Sequence, residues 1–520
     1  MSIKREFGAI QPGIPLGPLT LRVPFIHYRF EWADFAQGLL MCTVCLSIIT
    51  VLTAKLGMSF KVALAIVILN GALYLAHVTF GDPVVHGWVT PAIPLLIAYC
   101  ETFPMGTERM QALIAFEMTF GLFCIVLGLT GMAKRFIALI PNAVQSAILI
   151  GAGFAAVMLI FDPAKQGIRS FSTSPLTISV CVGLAFYLIF SESFKAFRRK
   201  HRWAYYLGNL GMMPALALAV ILGPLFGEIP WPTYDGNFFT SPDFSTLWKE
   251  FTILGSIPFP PMEMFLSSLP MVISAYIVVF GDVIQSQALL DDAQKYRPDE
   301  NVNYNPNRSH IIFGGRNLVM SVAGPDISMC GPLWAAMQVV VCERYKHGPR
   351  AMESINGGAG SFRWGTFAGY FFAPIVSTVK PILGVGLAST MLIQGYVSVR
   401  VGVLKSRAFN DLGIAGVAGA ILAVRGAAWG LSAALILTAL VYISRNSGRP
   451  WKSPTDKMAF AARKAYSPTS SLSANISVTR YMNAPEILRR GIHFLYGLDR
   501  GDIQSIITED KHWHISKVIR

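Results

Sequence analysis

The chain has 520 residues, of which 53% are hydrophobic and 14% are charged, and its mean hydropathy is +0.50. Soluble domains carry about 25% charged residues, so this composition excludes an ordinary soluble domain and predicts a multispanning membrane protein. In such a protein the net charge of +14 indicates basic cytoplasmic loops, and we predict no nucleic-acid partner. The seven cysteines lack metal-ligand spacing, and we predict neither a metal site nor a cofactor.

The first half of the chain contains seven predicted apolar segments after a polar, basic N-terminal segment over residues 1–31. That N-terminal segment does not have the pattern of a cleavable signal peptide. The third apolar segment is short, follows a turn-rich stretch and carries Pro91 near its start, where proline is tolerated. The segments are Phe35–Lys55, Phe60–Phe80, Trp88–Cys100, Met110–Ala133, Phe136–Phe161, Leu176–Ser191 and Tyr205–Phe226.

A polar, proline-rich loop over residues 227–262 divides the chain, and seven further apolar segments follow it. The third of these is again short and interrupted, since Gly324-Pro325 precedes it and Gly331-Pro332 lies within it. A backbone broken at membrane depth persists only where it lines a cavity or is buried in protein, and such segments indicate a transporter's binding site. The segments are Met264–Leu290, His310–Ala323, Ile327–Cys342, Phe362–Val379, Pro381–Leu404, Leu412–Val424 and Ala427–Ile443.

These patterns predict an all-α polytopic membrane protein of fourteen transmembrane segments. An odd number in each half makes residues 32–226 and 263–444 two inverted repeats of seven. With alternate crossings, Lys and Arg concentrate on the side of the N-terminus, which predicts that both termini are cytoplasmic. The count of loop charges assigns Arg363, the second residue of the segment Phe362–Val379, to the adjoining cytoplasmic loop, and it leaves Arg316 inside a membrane segment.

The basic C-terminal tail, residues 445–520, is predicted to be cytoplasmic. Within it, Pro485–Tyr496 has the pattern of an amphipathic helix. Such a helix is suited to docking on anionic lipid. Packing of the tail on cytoplasmic loops of its own or a neighbouring subunit is the alternative.

Asp282 is the candidate for substrate binding or proton coupling. A carboxylate near the bilayer centre costs at least about 2.5–3.5 kcal/mol, so it usually faces a cavity or a partner. Asp282 and Gln285 share one helix face. The alternative is a structural ion pair between Asp282 and Arg316. Glu117 is a further acid within an apolar segment, without an assigned role.

The two short segments predict a binding site where they meet. Asp326 is predicted to cap the short helix of the second half, which leaves Ser328 and free backbone N–H groups to face a ligand. Thr90 and Pro91 occupy the matching place in the first half. The predicted substrate site comprises Thr90, Pro91, Ala92, Asp282, Gln285, Ile327, Ser328 and Gly331, with Arg316 and Asp326 as candidate charge partners.

The membrane part resembles the uracil/xanthine permeases, whose fold is shared by sulfate permeases and bicarbonate transporters. Val278-Val279-Phe280-Gly281-Asp282 is similar to a motif of the eighth segment in nucleobase permeases, and Ala323–Ser328 to the entry of their tenth segment. The family's two binding glutamates fall on Val278 and near Gly331-Pro332, where this chain has no acid. The resemblance implies an elevator-type carrier whose core, segments one to four and eight to eleven, moves against a gate that forms a homodimer.

The favoured hypothesis is a secondary active transporter, a proton symporter for a nucleobase-like solute or a small organic anion. The alternative is an inorganic anion carrier or channel that uses paired helix N-termini without proton coupling. We predict that the chain is not an enzyme, because no nucleophile–base or metal-ligand set occurs at membrane depth. The partners are then a small-molecule substrate, a proton and the lipid bilayer of the plasma (inner) membrane.

Overall fold

Helices dominate the part of the chain that the computed structural model describes, which is residue 3, residues 5–161 and residues 171–443. The predicted C-terminal tail, with its amphipathic helix, lies outside the described residues. Two short sheets occur near the N-terminus. Strands β1 (Ala9–Ile10) and β4 (Glu300–Asn301) pair in parallel, whereas β2 (Ile14–Leu16) and β3 (Leu19–Leu21) form an antiparallel hairpin.

The first half contains eleven described helices, and a 3-10 turn over Thr90–Ala92 leads directly into the fourth. The helices are α1 (Trp32–Leu46), α2 (Ile49–Leu56), α3 (Phe60–Thr79), α4 (Ile93–Cys100), α5 (Thr107–Thr130), α6 (Ala133–Leu139), α7 (Asn142–Phe161), α8 (Pro175–Phe190), α9 (Glu192–Lys200), α10 (Arg202–Asn209) and α11 (Met213–Leu225).

The dividing loop contributes one short helix, and eight described helices follow it. These are α12 (Phe244–Glu250), α13 (Met262–Gln294), α14 (Pro306–Ala323), α15 (Ala335–Lys346), α16 (Ile355–Gly369), α17 (Ala373–Val379), α18 (Leu383–Lys405), α19 (Phe409–Arg425) and α20 (Ala427–Ile443).

Helix boundaries follow local backbone chemistry. The Ser59 hydroxyl accepts a hydrogen bond from the Val62 N–H at 3.3 Å where α3 begins. The Asn305 side chain accepts one from the Asn307 N–H at 2.9 Å where α14 begins. Such caps satisfy N–H groups that have no partner within the helix. Gly131, with φ +66°, ends α5 in the left-handed region that favours glycine.

Six helical stretches of the described chain are long and apolar enough to cross a membrane, and a bent pair formed by α8 and α9 makes a seventh. Shorter apolar helices occur at Thr90–Cys100, Met213–Leu225 and Ala427–Tyr442. The chain therefore has the spans of an integral membrane protein. The arrangement as fourteen crossings in two inverted repeats stays a prediction.

The helices pack mainly within two groups. In one group, α5 packs against α13 and α14, and α16 packs against α1 and α3. In the other, α7 packs against α18 and α19, and α8 packs against α11 and α18. Contacts of α13 with α7 and of α1 with α18 join the groups.

Glycines allow several of these helices to approach closely. A Cβ atom added at Gly121 of α5 would lie 2.8 Å from the carbonyl oxygen of Gly314 on α14. One added at Gly38 of α1 would lie 2.0 Å from the carbonyl oxygen of Phe362 on α16. Helices in membranes gain most of their association energy from close packing of this kind.

Several predicted segments differ in extent from the helices observed. Some are divided between two helices, among them Phe35–Lys55, Phe136–Phe161 and Tyr205–Phe226. The third segment, predicted over Trp88–Cys100, is helical only from Thr90. The tenth, predicted over Ile327–Cys342, is extended as far as Trp334 because Gly and Pro interrupt it, and its helix α15 begins at Ala335. The segment predicted over Phe362–Val379 is two helices, α16 and α17, and the first begins seven residues earlier, at Ile355.

Candidate functional site

Two extended stretches, residues 81–89 and 324–334, lie side by side and run antiparallel. The Val89 N–H donates to the Ser328 carbonyl at 3.2 Å, and the Trp334 N–H donates to the Val85 carbonyl at 2.7 Å. Between these bonds, the Gly331 N–H donates to the carbonyl of Gly87 at 2.9 Å. Backbone groups that a helix would satisfy internally are thus satisfied across the two halves of the chain. We call this paired region the crossing.

Each stretch of the crossing leads into a short helix. The first passes through Thr90–Ala92 into α4, and the second passes directly into α15. The first N–H groups of a helix lack partners and carry partial positive charge. Two such helix starts therefore follow the crossing, one from each half of the chain.

A cavity of about 720 Å³ lies against the crossing and the start of α15. This volume is within the usual range of a site for a small molecule. Lys195 and Arg198 of α9 and Glu343 of α15 also line the cavity, and the Lys195 side chain is exposed. Other lining residues include Cys45, Tyr74, Gly87, Trp88, Trp334, Ala335, Thr390 and Gln394.

The predicted site residues divide into two sets. Thr90, Pro91 and Asp282 line the cavity, so the structure brings these three together. Gln285 is half-buried on α13, one turn after Asp282, and is not part of the lining. The remaining predicted residues are buried away from the cavity; they are Ala92, Ile327, Ser328 and Gly331.

Asp326 accepts several hydrogen bonds within the crossing and does not cap the short helix. Its carboxylate accepts from the Ser328 N–H at 2.9 Å, the Ser328 hydroxyl at 2.5 Å and the Asn70 amide at 2.7 Å. The predicted helix cap at Asp326 is wrong, because α15 begins nine residues later, at Ala335. Glu117 of α5 accepts from the Asp326 N–H at 3.2 Å, which gives this acid a structural contact.

Arg316 of α14 is bound to this same polar network. Its guanidinium donates to the Asn70 side-chain oxygen at 3.1 Å and to the Gly331 carbonyl at 3.4 Å. Asn70 therefore bridges Arg316 and Asp326. No ion pair among the described residues joins Arg316 to Asp282, so the alternative prediction of that pair is wrong in this structure.

Arg363 is the main residue that the sequence analysis misplaced. It lies within α16 and is completely buried, not in a cytoplasmic loop. Its guanidinium carbon is 4.2 Å from the Tyr74 ring centroid and 5.1 Å from that of Trp334. The sequence contains a signal for this position, since residues 355–369 are otherwise uncharged and rich in Gly and Ala.

A buried triad of His77, Asp82 and His86 was also missed. The Asp82 carboxylate lies 3.3 Å from His77 Nδ1 and 3.2 Å from His86 Nε2. By distance the three side chains are candidate metal ligands. However, the two imidazole rings stack with centroids 3.2 Å apart and an interplanar angle of 16°. Lone pairs of parallel rings do not converge on one ion, so we interpret the triad as a polar contact that holds the first extended stretch against α3.

No protein-family model matches the sequence, and no curated protein matches it. Among solved structures, the fold is similar to that of SLC26A9, with a TM-score of 0.51 and 12% identity. That match covers 80% of this chain and 66% of the SLC26A9 chain, so the chain spans about two thirds of that protein's length. At this identity the likeness shows a shared fold.

Two further structures match with TM-scores below 0.5 and add no weight. The transmembrane domain of the bicarbonate transporter BicA of a cyanobacterium matches at 0.46, with 16% identity over 77% of this chain and 96% of that domain. A murine Slc26a9 anion transporter in the inward-facing state matches at 0.45, with 13% identity over 80% of this chain and 69% of the other. These neighbours are transporters and not enzymes, as the sequence analysis predicts for this chain.

Proposed function

We propose that the chain is a secondary transporter of small anions and binds its solute where the crossing leads into α4 and α15. The observation that carries this proposal is the crossing itself, which places two helix starts, one from each half, near one cavity. Two partial positive charges near one cavity favour an anionic solute. The fold shared with SLC26A9 supports the same class.

We favour an anion over a nucleobase as the solute, because the chain lacks the acids that bind a nucleobase in the resembling permeases. In the nucleobase-permease resemblance, the two binding glutamates fall on Val278 and near Gly331-Pro332. Val278 is buried and apolar, and Gly331 is hydrogen-bonded within the crossing. Neither position offers a carboxylate to accept hydrogen bonds from a neutral base.

The transport step is proposed to be an elevator movement of one helix group past the other. The group with α1, α3, α5 and α16 holds the crossing, whereas the group with α7, α18 and α19 forms the opposing surface. Fourteen crossings in two inverted repeats, a homodimer joined through the second group, and a plasma-membrane location belong to this same proposal.

Proton coupling at Asp282 is the second part of the proposal. Asp282 lines the cavity and forms no ion pair with another described residue. An acid in this setting can change protonation as the solute enters and leaves. The uncoupled inorganic anion carrier is the alternative, in which Asp282 only shapes the cavity.

Ala335→Phe tests the proposed site, because Ala335 is the first residue of α15 and lines the cavity. The test is uptake of chloride, nitrate, formate and sulfate by full-length protein in proteoliposomes, with uracil as a neutral comparison. We expect uptake of at least one anion by the unchanged protein and a loss of roughly tenfold or more in the variant, since the larger side chain fills the cavity.

The matched control is Ala428→Phe, which places the same ring on an exposed position of α20 and should leave anion uptake unchanged. Uptake of uracil alone, or the absence of anion flux by the unchanged protein under every gradient, would reject the proposed function. Normal flux through the Ala335 variant would place the solute elsewhere.

A further inference from the structure

Arg363 carries a buried charge that no described residue balances. The residue is 0% exposed, and none of its three guanidinium nitrogens has an oxygen or nitrogen acceptor among the residues that the structure describes. The Cys45 thiol, a weak acceptor, is the one described side chain that forms a hydrogen bond with it. No ion pair of the described residues includes Arg363 either. An arginine remains protonated in proteins, so it cannot relieve this cost by losing a proton.

The other buried arginines among the described residues each have at least one oxygen acceptor, which makes Arg363 an exception. Arg109 donates three hydrogen bonds to the carbonyl oxygens of Lys55 and Phe103. Arg297 donates to both Asp299 carboxylate oxygens and to three backbone carbonyls. Arg316 has two acceptors, although its Nε also lacks a described partner. A buried charge without such acceptors is strongly destabilising unless another group supplies them.

The surroundings of Arg363 are aromatic and carry positive charge. Tyr74 lies against it and against Arg316, with the two guanidinium carbons 4.2 Å and 4.3 Å from the ring centroid. The Trp334 ring also lies close to Arg363. Aromatic faces stabilise a cation but accept no strong hydrogen bond. Two guanidiniums against one ring therefore create a positive region in which Arg316 has the Asp326 carboxylate nearby, through Asn70, and Arg363 has no described carboxylate partner.

This region borders the cavity. Tyr74 and Trp334 contact Arg363, and both also line the cavity against the crossing. Cys45, whose thiol lies within reach of the Arg363 charge, is a third lining residue. These three side chains therefore border the cavity and also lie against Arg363.

We propose that Arg363 is the specificity-determining residue of an anion subsite behind Tyr74 and Trp334, and that it binds a small planar oxyanion. This inference rests on the proposed function, because the ion is the transported solute arriving from the cavity. Aromatic rings lie against the guanidinium and accept no strong hydrogen bond, so its N–H groups remain the donors that an ion would meet. Two parallel donors match the two oxygens of a carboxylate, nitrate or bicarbonate and not a single halide ion.

Two variants separate the effect of charge from that of donor geometry. Arg363→Met removes the positive charge, whereas Arg363→Lys keeps it but loses the paired N–H donors of the guanidinium. Methionine removes a charge that is unbalanced without an anion, so we expect an equal or higher Tm in anion-free buffer for the purified full-length protein. The methionine variant should also lose the rise in Tm that nitrate or formate gives. Lysine has a point charge without the paired donors, so Arg363→Lys should weaken nitrate and formate binding tenfold or more and change chloride binding less.

Arg109→Met is the matched control, since Arg109 is buried and fully hydrogen-bonded away from the cavity. It should lower Tm and leave the nitrate-dependent shift intact. If Arg363→Met lowers Tm and keeps that shift, Arg363 is a structural residue held by water and the subsite is rejected. Equal losses of chloride and nitrate binding in Arg363→Lys reject the oxyanion preference. In both cases anion flux by the unchanged protein would still support the proposed function, whereas absent flux and absent shifts with every anion reject both.

Discussion

At the scale of single residues, the charges near the crossing differ in how well they are balanced. Asp326 accepts three hydrogen bonds and has Arg316 nearby through Asn70. Asp282 borders the cavity without an ion pair to another described residue, and Arg363 has no described oxygen or nitrogen acceptor. Balanced groups hold the crossing together, because removing either partner would leave the other buried and unpaired. The unbalanced groups are the candidates for contact with a mobile ion.

Asp282→Asn is the residue-scale test of proton coupling. The amide keeps the shape of the side chain and removes its capacity to carry a proton between the two sides. In proteoliposomes we expect uptake driven by a proton gradient to fall roughly tenfold or more, while exchange of solute without a gradient continues. Asp292→Asn is the control, because Asp292 lies on the same helix and bonds with the partly exposed Lys346. An unchanged pH dependence in Asp282→Asn would make the carboxylate structural and favour the uncoupled carrier.

At the scale of elements, the sequence predicts the two broken segments but not their length or pairing. Gly and Pro around Pro91, Gly324 and Gly331 indicate where helices are interrupted. They do not indicate that the second non-helical stretch extends to Trp334, because the apolar composition of Ile327–Leu333 also predicts a helix. The hydrogen bond from the Gly331 N–H to the Gly87 carbonyl joins residues more than two hundred positions apart, and no local sequence pattern predicts it. Arg363 was misplaced for a related reason, because a side-chain cap at Ser354, and not hydropathy, sets the start of α16 at Ile355.

Gly87→Ala tests whether close approach at the crossing is needed for transport. A Cβ at Gly87 would lie 2.9 Å from the Trp334 Cβ and 3.0 Å from the Leu333 carbonyl oxygen. The two stretches must separate to admit it, at about 1–3 kcal/mol in the free energy of unfolding. We expect a lower Tm and at least a tenfold loss of anion uptake. Gly315→Ala of α14 is the control: its Cβ meets no atom within 4 Å, so stability should hold or rise. If Gly87→Ala and Gly315→Ala have the same Tm and the same anion uptake, close packing at the crossing has no role in transport.

At the scale of the whole molecule, contacts between loops bear on the predicted alternation of crossings. The N-terminal segment pairs with the loop after α13 through β1 and β4, and Arg5 forms an ion pair with Asp299 in that loop. On the other set of loops, Glu101 after the third segment forms an ion pair with Lys55 at the end of the first. The Asp243 N–H of the dividing loop donates to the carbonyl of Lys61, at the start of α3. Loops that follow even-numbered predicted segments thus contact the N-terminal segment, and loops that follow odd-numbered segments contact one another. This is the grouping that one crossing per predicted segment requires.

Cysteine labelling tests this alternation directly. All seven native cysteines are buried, so background reaction with a membrane-impermeant maleimide should be low. Glu6→Cys reports on the exposed N-terminal segment, and Asp235→Cys on the exposed dividing loop. Because seven crossings separate the two positions in the predicted layout, we expect Asp235→Cys to react in intact cells and Glu6→Cys to react only after the membrane is opened. We place the N-terminal segment in the cytoplasm, and the dividing loop outside, because the predicted layout has an excess of Lys and Arg on the side of the N-terminus. Reaction of both positions from the same side would show an even number of crossings in the first half, and the inverted repeat could not then hold.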